Sequence, residues 1–278
     1  MTQPGAPASP AALRALVRDV GSSPGQIMWY VAWSLNTGFP VADADRTRAA
    51  GAVPEITWEP WNPARAMSQT RYALARIVAG DFDRYIGSWA RAVATWGFPL
   101  RLRFAQEMNG SWYPWAEGVN GNAAGSYVAA WRHVHRIFAA AGADNVTWIW
   151  SPNVPYPGST PMAELFPGDT VDEIAIDGYN WGNQQGRSWA SFDAIFRQAI
   201  EELSAMSRRP ISIGEVGCST AGGDKARWIA AMWRTLAQWP RVHSVTWFDL
   251  DKEADWRIAS SAASARAFAS GLSSYLAR

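Results

Sequence analysis

Leu100-Arg101-Leu102-Arg103-Phe104-Ala105-Gln106-Glu107-Met108-Asn109-Gly110-Ser111-Trp112-Tyr113-Pro114-Trp115 is the stretch whose reading decides the fold. Apolar and polar residues alternate from Leu100 to Ala105, the period-2 pattern of a strand with two different faces. Asn109-Gly110 then breaks the pattern as a turn. The expected strand, Leu100 to Glu107, therefore ends in a carboxylate, and three aromatic residues follow at once.

Working outward, the same signal recurs. Six further strands are expected at Gln26 to Trp33, Pro54 to Trp58, Asn145 to Trp150, Glu173 to Tyr179, Pro210 to Glu215 and His243 to Asp249. Between them lie helical patterns at Pro40 to Ala50, Phe82 to Trp96, Ala124 to Ala141, Ser191 to Met206 and Lys225 to Gln238, with further helices at Pro10 to Val20 and Ala262 to Leu276. The third of these shows the spacing well, with Tyr127, Trp131, Val134 and Phe138 along one face. Strands alternating with amphipathic helices and no long linker indicate an α/β fold, a (β/α)8 TIM barrel, built as one domain over residues 1–278. Seven strands are read where eight are needed. Residues 1–9, expected to be flexible or irregular, either supply a poor first strand or leave it missing. With the first strand restored to the count, Glu107 follows strand four.

Composition fits an enzyme-sized globular chain: 278 residues, 48% hydrophobic and 18% charged. The formal charge is +1 and the arginines are dispersed, with Lys225 and Lys252 the only lysines, so no nucleic-acid partner is implied. A single cysteine, Cys218, excludes an intramolecular disulfide and a multi-cysteine metal site. No apolar run is long enough to span a bilayer, so no membrane association is expected. His133, His135 and His243 do not form a metal-binding pattern, and the acidic run Asp249 to Asp255 lacks the glycine and spacing of a calcium loop. No cofactor and no metal are expected. Gly21-Ser22-Ser23-Pro24-Gly25 matches a nucleophile-elbow pattern but precedes a strand, where that motif joins a strand to a helix.

A second strand, Pro210 to Glu215, also ends in a carboxylate, here between Gly214 and Gly217. Active sites of barrels gather at the carboxyl-terminal ends of strands, so Glu107 and Glu215 are expected to face one cleft. Paired carboxylates beside flat aromatic faces suit acid–base chemistry on a glycosidic bond. Tryptophan is unusually abundant at 18 residues, and this excess favours a carbohydrate cleft. Candidate binding residues from the other strand ends are Trp58, Asp177, Tyr179, Trp181 and Trp247, with Gln106 and Trp112 beside Glu107.

Taken together, these motifs resemble glycoside hydrolase family 26, above all Glu107-Met108-Asn109-Gly110-Ser111-Trp112-Tyr113-Pro114-Trp115, supported by Asp177-Gly178-Tyr179-Asn180 and Gly214-Glu215-Val216-Gly217. The resemblance implies a retaining glycosidase acting on internal β-1,4 linkages, with Glu107 as acid/base and Glu215 as nucleophile. It further implies that Tyr179 steadies the nucleophile, Trp112 stacks beside the cleavage point and Asp177 helps bind the sugar; Trp247, from its place at the end of the last strand, is expected to floor the ring. Mannanases of that family carry His immediately before the acid/base, where this chain has Gln106. The expected substrate is β-mannan, with mixed-linkage β-1,3-1,4-glucan as the alternative raised by Gln106, and a non-catalytic carbohydrate-binding barrel as the rival class. A monomer binding a β-linked polysaccharide or oligosaccharide is expected. Secretion is expected as well, although Met1 to Pro10 lacks the charged-then-apolar order of a leader.

Overall fold

The computed structural model describes residues 2–4 and 7–277. Eight parallel strands pair in chain order: β1 (Thr2–Pro4), β2 (Gln26–Ala32), β3 (Val53–Glu59), β4 (Leu100–Phe104), β5 (Val146–Trp150), β6 (Glu173–Asn180), β7 (Ile211–Cys218) and β8 (Val242–Trp247). Among the described residues eight α-helices accompany them: α1 (Pro10–Val20), α2 (Val41–Ala49), α3 (Leu74–Val78), α4 (Asp83–Trp96), α5 (Ser126–Ala140), α6 (Phe192–Met206), α7 (Lys225–Leu236) and α8 (Ala262–Leu276). The sheet curls into the (β/α)8 barrel expected from the alternation. The first strand lies within the segment expected to be irregular: Thr2–Pro4 runs parallel to β2, with Thr2 opposite Met28. Helix α8 packs on both α7 and α1, bringing the last and first units together, and Gln26 Nε2 donates to Thr246 Oγ1 at 2.6 Å between β2 and β8.

The two faces of β4 explain the construction. Leu100, Leu102 and Phe104 are fully buried toward the helices, and burial of each such side chain is worth about 1.5–3 kcal/mol. The alternate residues enter the barrel. Arg101 bridges Glu55 of β3 at 2.8 Å and Glu173 of β6 at 2.6 Å. One tier higher, Arg103 donates to Thr57 at 3.0 Å and to both oxygens of Asp177 at 3.1 Å. The barrel interior is thus a stack of ion pairs. Such pairs recover the cost of burying charge only where the hydrogen bonds are complete.

Tryptophan goes mainly to the layer between strands and helices. Fourteen of the 18 tryptophans are buried, which redirects most of the excess from the cleft to packing. Trp58 stacks on Trp89 of α4 at 4.7 Å and meets Phe138 of α5 edge-on. Trp148 meets Trp131 and Phe138 of α5. Large aromatic rings fill this interface with few side chains.

Candidate active site

Strand β4 stops at Phe104, three residues earlier than the alternation predicts. Ala105 (φ 49°) and Glu107 (φ 52°) adopt the left-handed region, which side-chain-bearing residues seldom occupy. The neighbouring strand ends hold them there: Ala105 N–H donates to Trp58 O at 3.1 Å, and Glu107 N–H donates to Ser151 O at 2.7 Å. The following turn is locked by Asn109, which accepts from Asn153 N–H and donates to Asn153 O, both at 2.8 Å. Gly110 is required because a Cβ there would lie 2.5 Å from the Trp112 ring. That ring folds back, and its Nε1–H donates to Glu107 Oε2 at 2.7 Å.

Glu215 lies within β7, not at its end. Its position comes from a bulge: Ile176 pairs with Ile213 and Asp177 with Glu215, leaving Gly214 as the extra residue. A bulge breaks the strict alternation and re-aims the following side chain, here turning Glu215 into the barrel. Gly214 makes this possible, since a Cβ at that position would meet Asp177 Oδ1 at 2.6 Å. One Glu215 oxygen accepts from Tyr30 O–H at 2.6 Å and from Arg103, and the other from Tyr179 O–H. Burial, then the charge of Glu215, holds both phenols well above 10, so they remain donors.

The nearest carboxylate oxygens of Glu107, Asp177 and Glu215 all lie within 4.8 Å of one another. Burial, followed by the charge of Glu215, raises Glu107 to about 7, against the opposing Trp112 hydrogen bond. A second carboxyl is raised to about 7 nearby: Glu59, at the end of β3, again chiefly by burial. Gln106 Nε2 donates to Glu59 at 2.9 Å, while Gln106 Oε1 has no partner among the described residues.

The structure gathers Glu107, Trp112, Tyr179 and Glu215 into one cleft, with Gln106 fully buried behind it against Glu59, and Trp181 joins its wall by meeting Trp256 edge-on at 4.9 Å. Three expected sugar contacts are engaged otherwise. Trp58 points away from the barrel axis because it occupies the outward parity of β3. Trp247 is turned toward α7 and α8, packed on Trp228 and Phe268, with its Nε1–H donating to Trp256 O at 2.7 Å. Asp177 is fully buried beneath Glu215, engaged by Arg103 and by Ser151 at 2.9 Å. It holds Arg103 in place of a sugar.

Arg103, Tyr30, Glu59 and Trp256 were not singled out in the sequence. For Arg103 and Tyr30 the signal was strand parity. Trp256 sits in a loop whose carbonyls at Asp255 and Arg257 are gripped by the buried Lys225 Nζ at 2.9 and 2.8 Å. It packs 5.0 Å from the Tyr179 ring. The loop's acidic residues are engaged internally, Asp255 with Arg257 at 2.7 Å and Asp249 with Ile258 N–H at 2.6 Å.

An eight-stranded barrel whose carboxyl-terminal face presents two close glutamates among aromatic residues has the layout of a carbohydrate-active enzyme. The family model of glycosyl hydrolase family 26 matches residues 43–236, and the chain belongs to that family. It is 38% identical over 239 residues to Endoglucanase H of Acetivibrio thermocellus, an alignment covering 84% of this chain and 25% of that protein. The chain thus spans about a quarter of the length of this relative. Among solved structures it resembles the catalytic domain of an endo-β-1,4-mannanase from Bacillus sp. JAMB-750, with a TM-score of 0.72 and 18% identity over 94% of this chain and 79% of that one. A β-mannanase from Bacteroides ovatus aligns with a TM-score of 0.66 and 17% identity, covering 92% of this chain and 81% of that one. Among the described residues no helix is long and apolar enough to cross a membrane.

Proposed function

We propose that the chain is a retaining endo-β-glycanase in which Glu107 is the acid/base and Glu215 the nucleophile. The observation that carries this reading is the approach of the two carboxylates to within 4.8 Å. Retaining glycosidases hold their carboxyl groups about 5–5.5 Å apart, whereas inverting ones need about 6.5–9.5 Å to admit a water.

The two environments divide the labour. Glu215 accepts from Tyr30, Tyr179 and Arg103, three hydrogen bonds that fix the aim of its carboxylate. Glu107, raised to about 7, keeps a proton near neutral pH. Glu107 donates that proton to the glycosidic oxygen as Glu215 attacks the anomeric carbon. The leaving chain departs, a water enters, Glu107 takes its proton, and the hydroxide displaces Glu215 from the sugar. Trp112, 38% exposed and beside Tyr156 at a ring separation of 5.5 Å, offers an aromatic face next to the acid/base.

For the sugar, 38% identity to a protein named as an endoglucanase, against 17–18% to the mannanases, supports a β-1,4-linked glucan, including mixed-linkage glucan. Gln106 in place of a histidine supports the same choice. β-Mannan is the second reading, supported by the fold of its structural neighbours. Reducing-end release from mixed-linkage glucan, mannan, glucomannan and xylan tests both: release from glucan that Glu107→Gln and Glu215→Gln abolish is expected. Glycan binding without release from any polymer would instead indicate a non-catalytic barrel.

A further inference from the structure

A cavity of about 910 Å³ opens on the β2 and β3 side of the barrel's carboxyl-terminal face, between the loop carrying Asn36 and the loop carrying Asn62 and Ser68. This volume is at the upper end of the range for ligand sites. It adjoins the cleft. Asn62 is three residues beyond Glu59, so the chain between them spans no more than about 11 Å, and the intervening Trp61 packs against Tyr113 and Trp115.

The charge of this cavity is opposite to that of the cleft. Arg65, Arg71 and Arg84 line it, and none has a carboxylate partner within salt-bridge distance among the described residues. Its one carboxylate, Asp81, is taken by Arg76 at 2.5 Å. The cleft, in contrast, sets Glu59, Glu107, Asp177 and Glu215 against Arg103 alone. With a chain total of only +1, the positive groove is a local feature and not a consequence of a basic protein.

We infer that this groove binds carboxylate groups on the glycan, so that the substrate is a β-glycan bearing uronate residues, neutral at the cleaved unit and acidic a short distance along the chain. Guanidinium groups match carboxylates in geometry and charge, and the hydroxyl and amide groups of Asn36, Asn62 and Ser68 suit the sugar hydroxyls around them. An acidic unit is repelled at the glutamates and attracted beside them, which sets its register on the enzyme. The inference rests on the glycanase reading and names the substrate class for that same site.

The test uses the chain carrying Glu107→Gln, so that nothing is cut, titrated by calorimetry with a mixed-linkage β-glucan and with the same glucan after partial oxidation of its primary alcohols to carboxylates. The oxidised polymer is expected to bind about tenfold more tightly in dilute buffer, an advantage that fades near 0.5 M salt as screening shortens to a few Å. Arg65→Gln/Arg71→Gln/Arg84→Gln should abolish the advantage, and Arg84→Gln alone should remove part of it if the triple variant does not fold. Equal affinity for the two polymers, or an advantage that survives salt or the arginine substitutions, overturns the inference while leaving the glycanase reading intact. Failure to bind either polymer overturns the inference together with the glucan reading, while the glycanase reading is decided separately by reducing-end release from mannan, glucomannan and xylan.

Discussion

Replacing Trp112 by Phe keeps an aromatic face beside the cleft and removes one N–H. That N–H donates to Glu107 Oε2 at 2.7 Å and favours the ionised carboxylate. A hydrogen bond to a charged group contributes about 1.5–3 kcal/mol when buried. With Trp112 38% exposed, about 1 kcal/mol is a fair share, equivalent to about 0.7 of a pKa unit. Glu107 works as an acid only while protonated, so activity is full below its pKa of about 7 and is lost as pH rises through it. Trp112→Phe should therefore move the alkaline limb of kcat/KM upward, from near 7 to between about 7.5 and 8. Initial rates on a soluble glucan across pH 4–10 measure this. A limb that stays in place or moves down would refute the role of the indole N–H and the assignment of the limb to Glu107.

Glu59 gives a stability prediction. Its folded pKa is raised from 4.5 to about 7, so the folded state favours the protonated form. That stability is complete below the unfolded pKa and is lost as pH rises through the folded one. Glu59→Gln should therefore be nearly neutral at pH 4 and more stable than the parent by up to about 3 kcal/mol at pH 8, measured by urea unfolding. Gly214→Ala drives a Cβ to 2.6 Å from Asp177 Oδ1; a loss of about 1–3 kcal/mol in urea unfolding, together with a large fall in kcat, is expected. Arg103→Met leaves Asp177 and Glu215 without their shared cation, and a destabilisation of about 3–5 kcal/mol is expected by the same measurement.

Alternation in Leu100–Phe104 made β4 and its two faces legible, and the two glutamates, one just past β4 and one within β7, were legible because carboxylates closing apolar runs are chemically conspicuous. What was hidden depends on partners distant in sequence. Thr2–Pro4 is too short to show a pattern of its own, and its strand character comes from pairing with β2. Trp58 and Trp247 looked like ring platforms because strands buried on both faces carry aromatic residues without marking which face is which. Glu59, next to Trp58 at the end of β3, occupies the inward parity, which the aromatic residues around it do not announce. Glu215 was placed at a strand end because the bulge at Gly214 is a property of the β6–β7 register, and no single strand encodes it. Asp177 is held by Arg103, 74 positions away, a contact that no local motif announces.

The most direct test of the central claim is the configuration of the product at the moment it forms. Proton NMR of a soluble β-1,4-linked glycan during rapid turnover should show new reducing ends appearing first as the β-anomer, with the α-anomer rising later by mutarotation. Two displacements at one carbon, first by Glu215 and then by water, require that order. First appearance of the α-anomer would contradict the assignment of Glu215 as nucleophile, despite its approach to Glu107 within 4.8 Å.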